Sequence, residues 1–327
     1  MLNRRALLHR ASCIALASTG WTARAQAGSI RMVVGFPAAG PVNIAARFIC
    51  PLLTSRLGQE FVVENMPGES GNVATAFVAA APPDGRTLLL SAVVNTINTT
   101  LFQGLSFDFE KDLTAVAGLY RVPLIVEVPS GSQARTASDF IDLARLSPGG
   151  LKVGYAGKGT PQHLAIELFK SMANVDVTLV PYLGSAPALQ DLLQGRLDAM
   201  FDPAPSSIDH VRSGRLRALA VTGSDRLATL PDVPLLSSVL PGYRAWSWFG
   251  ISAPRGMSRD RIAALNAATN AALSDPGATE TMRKMGAVAI SGTPEDYAAF
   301  VKEETTRHAR TIADAKVAVI PSRSPAR

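Results

Sequence analysis

From Ile30 onward the chain alternates apolar runs of strand length with stretches of helix length, and glycine or proline marks most of the passages between them. Such alternation dictates helices packed on a mostly parallel sheet. Ile30-Arg31-Met32-Val33-Val34 reads as a strand, residues 35–41 as a glycine and proline loop, and residues 44–57 as a helix with one apolar face. Residues 61–63 continue as a strand, 72–80 as a helix, and 87–90 as a buried strand after the turn Pro82-Pro83-Asp84-Gly85.

The same grammar resumes in the second half. It places helices at residues 138–146, 162–173, 186–194 and 208–213, and strands at 152–155, 177–180, 199–201 and 216–221. Residues 259–273 and 294–311 read as closing helices, the latter opened by Thr293-Pro294-Glu295-Asp296. No period of about 20 to 50 residues recurs, which excludes a solenoid or propeller. At 327 residues the chain is long enough for two domains.

Residues 1–27 read as an export leader: a basic start with Arg4, Arg5 and Arg10, an apolar run from Ala11 to Trp21, and the small-residue site Ala25-Gln26-Ala27, predicting cleavage near Ala27. The apolar run is too short and interrupted for a retained span. Arg4-Arg5 resembles a twin-arginine signal, although the pair does not separate the two export routes. Removing this leader changes the charge argument. It takes four arginines with it, leaving 28 basic against 26 acidic residues of the original 32 and 26. The remaining cations are scattered and lack interleaved aromatic residues, so nucleic acid is not an expected partner. Cys50 is then the only thiol, and no internal disulfide can form.

Catalytic signatures are missing. No G-x-S-x-G elbow occurs, Gly68-Glu69-Ser70-Gly71 having the wrong spacing. No HxxxH, CxxC or HExxH suggests a metal, and no cofactor is expected. The segment Gly154-Tyr155-Ala156-Gly157-Lys158-Gly159-Thr160 lacks the glycine spacing and the adjacent Lys-Ser/Thr pair of a nucleotide loop. What such loops do supply is helix N-termini, whose first amides have no intrahelical acceptor and can hold a carboxylate without arginine. Two loops fit, Phe36-Pro37-Ala38-Ala39-Gly40 and Ala156-Gly157-Lys158-Gly159-Thr160. Either alone reads as an ordinary tight connection; the pair, one in each half, tilts the reading toward an anion site.

At these loops the sequence resembles the substrate-binding proteins of tripartite tricarboxylate transporters, the Bug family of periplasmic receptors. The matching segments include VVGFPAAGPVNIAAR, VVENMPGESGNVAT, PPDGRTLLLS, YAGKGTPQHLAIELF, VPYLGSAPALQDLLQGRLDAMFD and WFGISAP. The resemblance implies an α/β, two-domain, periplasmic-binding-protein-like (type II) fold with a ligand cleft between the domains. Domain 1 would comprise residues 28–121 and 255–320, and domain 2 residues 122–254, with crossings at 122–129 and 246–254 and a disordered tail at 321–327.

It also implies a binding function without catalysis: capture of a small carboxylated metabolite in the periplasm, by a monomer that delivers it to membrane permease subunits. Carried over by position, Phe36, Ala38, Ala39, Asn43 and Ser91 would face the ligand from one domain, and Ala156, Gly157, Thr160, His163 and Asp202 from the other. Asp202 could equally cap the following helix. This chain has Val42-Asn43 where the family usually has Thr-Asp, Lys158 where a neutral residue is common, and Leu183 where Lys is frequent. Lys158 is expected either to pair with a second carboxylate or to stay solvated at the rim. Two other readings share parts of this pattern, a ligand-sensing receptor for a signalling membrane protein and an exported α/β hydrolase.

Overall fold

The structure is a computed structural model that describes residues 28–322. The expected leader and its expected cleavage near Ala27, and residues 323–327 of the expected tail, lie outside the described residues.

The alternation read from the sequence is realised, with α/β units feeding one continuous sheet. In chain order the first half runs β1 (Ile30–Val34), α1 (Pro41–Leu57), β2 (Phe61–Asn65), α2 (Asn72–Ala79), β3 (Thr87–Ala92), α3 (Val93–Leu101), β4 (Phe102–Gln103) and α4 (Phe109–Asp112). A long strand, β5 (Leu113–Pro129), leads into α5 (Ala137–Leu146), β6 (Lys152–Tyr155), α6 (Pro161–Ala173), β7 (Thr178–Pro181), α7 (Ser185–Leu193), β8 (Ala199–Pro203), α8 (Ala204–Arg212) and β9 (Leu216–Val221). The chain closes with β10 (Trp246–Pro254), α9 (Arg259–Leu273), α10 (Pro276–Lys284), β11 (Val288–Ala289), α11 (Pro294–Asp314) and β12 (Ile320–Pro321).

Strand order along the sheet is β2-β1-β3-β10-β5-β8-β6-β7. β1 lies parallel between β2 and β3, while β10 inserts antiparallel between β3 and β5. β5 belongs to both ends. Its residues up to Pro123 pair with β10, and from Leu124 onward they pair with β8 and β9. The change of partner divides the sheet into a first lobe (β1, β2, β3, β10 and the start of β5) and a second (the end of β5 with β6, β7, β8 and β9).

Each lobe has its own apolar interior. Ile30, Met32, Ile49, Leu90 and Phe249 form one face of the first lobe, and Val33, Leu89, Ile97, Trp248 and Tyr297 the other. Leu124, Val153, Ile166, Phe169 and Phe201 centre the second. Cys50 is buried and unbonded in the first interior, and burial pushes its thiol up to about 12, which leaves it unreactive.

Strand β10 pairs along its whole length with first-lobe strands, so the return passage precedes Trp246. There Thr222 ties the segments together. Its hydroxyl accepts from the Leu124 amide at 2.8 Å and donates to the Ala245 carbonyl at 2.7 Å, while the Ala245 amide donates to the Thr222 carbonyl at 3.1 Å. Other departures from the sequence reading are local. Helix α8 begins at Ala204 rather than residue 208, and α3 and α10 were not anticipated. Pro321, expected in the tail, pairs in β12 with Gln103, whose carbonyl also accepts from the Ser322 amide at 2.8 Å.

Candidate functional site

Between the lobes lies a cavity with about 450 Å³ of unfilled space, part of it open to solvent. Helix beginnings build its wall: Gly40, Pro41 and Val42 from α1, Ala92, Val93 and Val94 from α3, Thr160, Pro161 and Gln162 from α6, Gly184 to Pro187 from α7, and Pro203 before α8. Five N-termini therefore converge on one space. Each carries partial positive charge from its unpaired first-turn amides.

Four of the five lack a side-chain cap: α1 begins after Gly40, α3 after Ala92, α7 after Gly184 and α8 after Pro203. Only α6 is capped, Thr160 Oγ1 accepting from the His163 amide at 3.4 Å. Serine, threonine, aspartate or asparagine would normally satisfy these positions. Their omission around a cavity leaves amide donors for an anion from outside.

Of the residues expected at the ligand, Phe36, Ala38, Ala156 and Thr160 line the cavity. The others are committed elsewhere. Asn43 Oδ1 accepts from the Ala39 amide at 3.3 Å and from Arg47 Nε at 3.1 Å, and its Nδ2 donates to Asn65. Ser91 is buried behind the wall, its hydroxyl bonded to Tyr297 Oη at 2.8 Å and accepting from Ser252 at 3.1 Å. The Gly157 carbonyl accepts from Thr160 Oγ1 at 2.7 Å. His163 stacks on Tyr155, with Nδ1 accepting from the Gly159 amide at 3.4 Å. Burial, then the positive charges of Lys158 and Lys170, lower its pKa to about 4, so the ring is neutral near pH 7. Lys158 is exposed and not among the lining residues; the atom it uses across the cleft is its carbonyl.

Asp202 is fully buried just behind the wall. It accepts from Gln162 Nε2 at 3.1 Å, from Ser207 Oγ at 3.1 Å and from Ser206 Oγ. Ser207 Oγ also lies 2.8 Å from Glu127 Oε1, and Glu127 is fully buried with Oε2 unpartnered. One hydroxyl hydrogen cannot serve two carboxylates. Desolvation and the neighbouring Asp202 charge raise the Glu127 pKa well above its ordinary value. Burial raises the Asp202 pKa as well, but the penalty is heavier on Glu127, which keeps its proton and can donate through Ser207 toward Asp202.

The cleft is shut in this structure. The Ser70 hydroxyl donates to the Lys158 carbonyl, Gly159 packs against Asn98, Leu101 and Phe102, and Leu164 of α6 joins the first-lobe cluster around Ile97. Ala39, Glu69 and Ser70, three of the non-glycine residues with positive φ (64°, 47° and 53°), lie on the two first-lobe turns facing the second lobe. Such backbone is strained, and it collects where geometry serves function.

Sequence reasoning did not single out Val93, Val94, Gln162, the α7 start at Gly184–Pro187, Pro203 or Ser247. Gly184 before a helix was a usable signal, the same one that marked Gly40. Nothing marked Val93, because residues 87–94 run without glycine or proline. Among the described residues no group of three or more His, Cys, Asp or Glu could hold a metal, and no helix is long and apolar enough to cross a membrane.

Comparison with known proteins gives the same picture. The family model described as the tripartite tricarboxylate transporter family receptor matches residues 45–317. A Pseudomonas protein described as "UPF0065 protein in tcbD-tcbE intergenic region" is 35% identical over 92% of each chain, and protein BugT of Bordetella pertussis is 32% identical over 86% of this chain and 88% of its own. Among solved structures, an R. palustris protein with adipate superposes with a TM-score of 0.88 at 34% identity, over 90% of this chain and 99% of that one. MatC from Rhodopseudomonas palustris with bound malate gives 0.83 at 31% identity, over 88% and 99%. With fold, cleft and sequence in agreement over nearly the whole described length, the chain belongs to the tripartite tricarboxylate transporter receptor family.

Proposed function

We propose that this chain is a periplasmic receptor that captures a small organic acid and presents it to the membrane subunits of a tripartite tricarboxylate-type transporter. The observation that carries the reading is the convergence of uncapped helix N-termini, from both lobes, on one cavity without a cationic side chain in its wall. Main-chain donors recognise a carboxylate there, and closure removes water that would weaken the attraction. The solved neighbours with adipate and malate support a carboxylate as ligand.

The lobes act as two domains that close by a hinge, with passages at Pro123–Leu124 and at Thr222 to Ala245. The chain is exported, cleaved near Ala27, works as a monomer and performs no covalent chemistry. A thermal-shift screen of organic acids on the mature protein tests the reading, since a ligand that binds only the folded state raises the melting temperature. Stabilisation by carboxylates and not by their neutral amides is expected. A flat response to every acid, or turnover of ester substrates, would contradict it.

A further inference from the structure

Resting on that reading, we infer that His308, which lies outside the cavity, is a positioning residue for ligand binding: its Nδ1–H holds the first turn of α3, which forms part of the cavity wall. Helix α11 packs across α3, and Thr96 of α3 meets His308 of α11 where both are buried, Thr96 Oγ1 lying 3.0 Å from His308 Nδ1. The threonine hydroxyl has one hydrogen and gives it to the Val93 carbonyl at 2.8 Å. Toward the ring its oxygen can then only accept. The other ring nitrogen requires the same tautomer. His308 Nε2 lies 3.0 Å from Arg307 Nη2, which is a donor only, so Nε2 accepts and Nδ1 carries the hydrogen. Glu304 Oε2, at 3.9 Å, is too far to accept from an Nε2–H instead.

Arg307 is itself held in place. Its Nε and Nη2 donate to Glu304 Oε1 and Oε2 at 2.8 Å and 2.6 Å, and its guanidinium lies 4.5 Å from the centre of the Trp246 ring. The Trp246 indole N–H donates to the same Glu304 Oε2 at 3.2 Å. Burial, then the Arg307 charge, lower the His308 pKa well below its ordinary value, so the ring is neutral near pH 7. The consequence falls on the cavity. Val93 and Val94 line it, and their helix has no side-chain cap to fix its start. On the α2 side Asn95 fixes the entry, accepting from the Ala92 amide and donating to Thr75. On the α11 side that task falls to Thr96. Without the ring N–H its oxygen is buried with nothing to accept, and the hydroxyl is free to rotate away from Val93. The first turn then loosens, and affinity for an acid falls although no residue touching the ligand has changed.

Two substitutions separate the ring nitrogens. Asparagine places an amide N–H where Nδ1 stands, and glutamine places its amide where Nε2 stands. Both leave space beside α3, so His308→Asn and His308→Gln should each lose stability. Affinity should divide them. In calorimetric titration of the mature protein with adipate, malate and benzoate, read on the acid that wild type binds most tightly, His308→Asn is expected within about twofold of wild type and His308→Gln weaker by about tenfold. Without ligand, the Val93 and Val94 amide resonances should move in His308→Gln and stay in place in His308→Asn. Equal losses of affinity in the two variants, or wild-type affinity in His308→Gln, would overturn the inference and leave the receptor reading intact. If wild type binds none of the acids, the receptor reading is what fails, and the unliganded spectra still decide whether His308 holds α3. Should neither variant fold, nitrogen-15 spectra of the wild-type imidazole decide: Nδ1 is expected to carry the proton at pH 7, and a proton on Nε2 would overturn the inference.

Discussion

The Ser70 hydroxyl of the first lobe donates to the Lys158 carbonyl of the second, the hydrogen bond that latches the mouth of the cleft. Both partners are held by backbone rather than by packing. Ser70 sits at φ 53° in a turn where Glu69 is also left-handed, and Lys158 lies between Gly157 and Gly159, at φ 107° and 80°. The latch is therefore a contact between two stiff turns, and it is broken simply by opening.

Ser70→Gly separates latch from strain. Glycine adopts this backbone freely, so the unliganded protein should keep or gain stability, while loss of one net hydrogen bond weakens affinity for a bound acid roughly 2- to 13-fold. Stopped-flow measurement should find the loss in the dissociation rate. An unchanged dissociation rate would show that the latch does not hold the closed state.

Gly159→Ala tests closure sterically. A Cβ there would lie 2.4 Å from Asn98 Oδ1, 3.1 Å from Phe102 and 3.3 Å from Leu101, all in the opposite lobe. The matched control is Gly195→Ala, at φ +71° with nothing within 4 Å of its Cβ. Both variants pay a similar backbone penalty of about 1 kcal/mol. Only Gly159→Ala should lose affinity, by tenfold or more, and stay open in small-angle scattering with ligand present.

How far the sequence foretold this site depends on which link is considered. Loops with glycine and proline announced the starts of α1 and α6, because Gly40-Pro41 and Thr160-Pro161 carry their own conformational instructions. The start of α3 carries none. The chain leaves β3 at Ala92 because Asn95 Oδ1 accepts the Ala92 amide at 2.8 Å and Asn95 Nδ2 is fixed by Thr75, a tertiary arrangement that no local pattern reveals. The polar candidates show the same limit. Ser91 was a plausible ligand contact by position, yet its hydroxyl is bonded to Tyr297, 206 residues away. Residue type predicted a hydrogen bond in each case; only the fold decides with whom.

Stability should fall on the acid side through His163. Its pKa is lowered from 6.5 to about 4 in the folded chain, so the neutral ring contributes stability above pH 6.5 that is lost as pH falls toward 4. By pH 5 the loss amounts to about 2 kcal/mol. His163→Gln should flatten denaturation free energy between pH 7 and pH 5 relative to wild type. A wild-type slope that survives the substitution would assign the effect elsewhere, His308 being the other buried imidazole whose pKa is lowered.

Glu127 acts with the opposite sign. Its pKa is raised from 4.5, so the folded state is favoured most below that pH, and stability is lost as pH rises and the unfolded chain releases the proton. Glu127→Gln keeps the donor to Ser207 without the titration. Its melting temperature relative to wild type should therefore climb from pH 5 to pH 8; a constant difference would mean that Glu127 is not the protonated member of the pair.

Where the two connecting passages meet, Thr222→Val removes the hydroxyl that joins Leu124 to Ala245 and leaves the buried Leu124 amide without its partner. Chemical denaturation should show a loss of about 1–3 kcal/mol. Retention of full stability would indicate that the two passages are held by other contacts.

The central claim is that main-chain amides at converging helix starts receive the ligand's acid group. Backbone amide chemical shifts, followed by NMR while the acid that most raises the melting temperature is titrated to saturation, test it most directly. Val42, Asn43, Val93 and Val94 are predicted to move downfield by the largest amounts, as donors to a carboxylate do. Saturation that leaves these four amides in place, with the largest shifts on residues away from the cavity, would contradict the account.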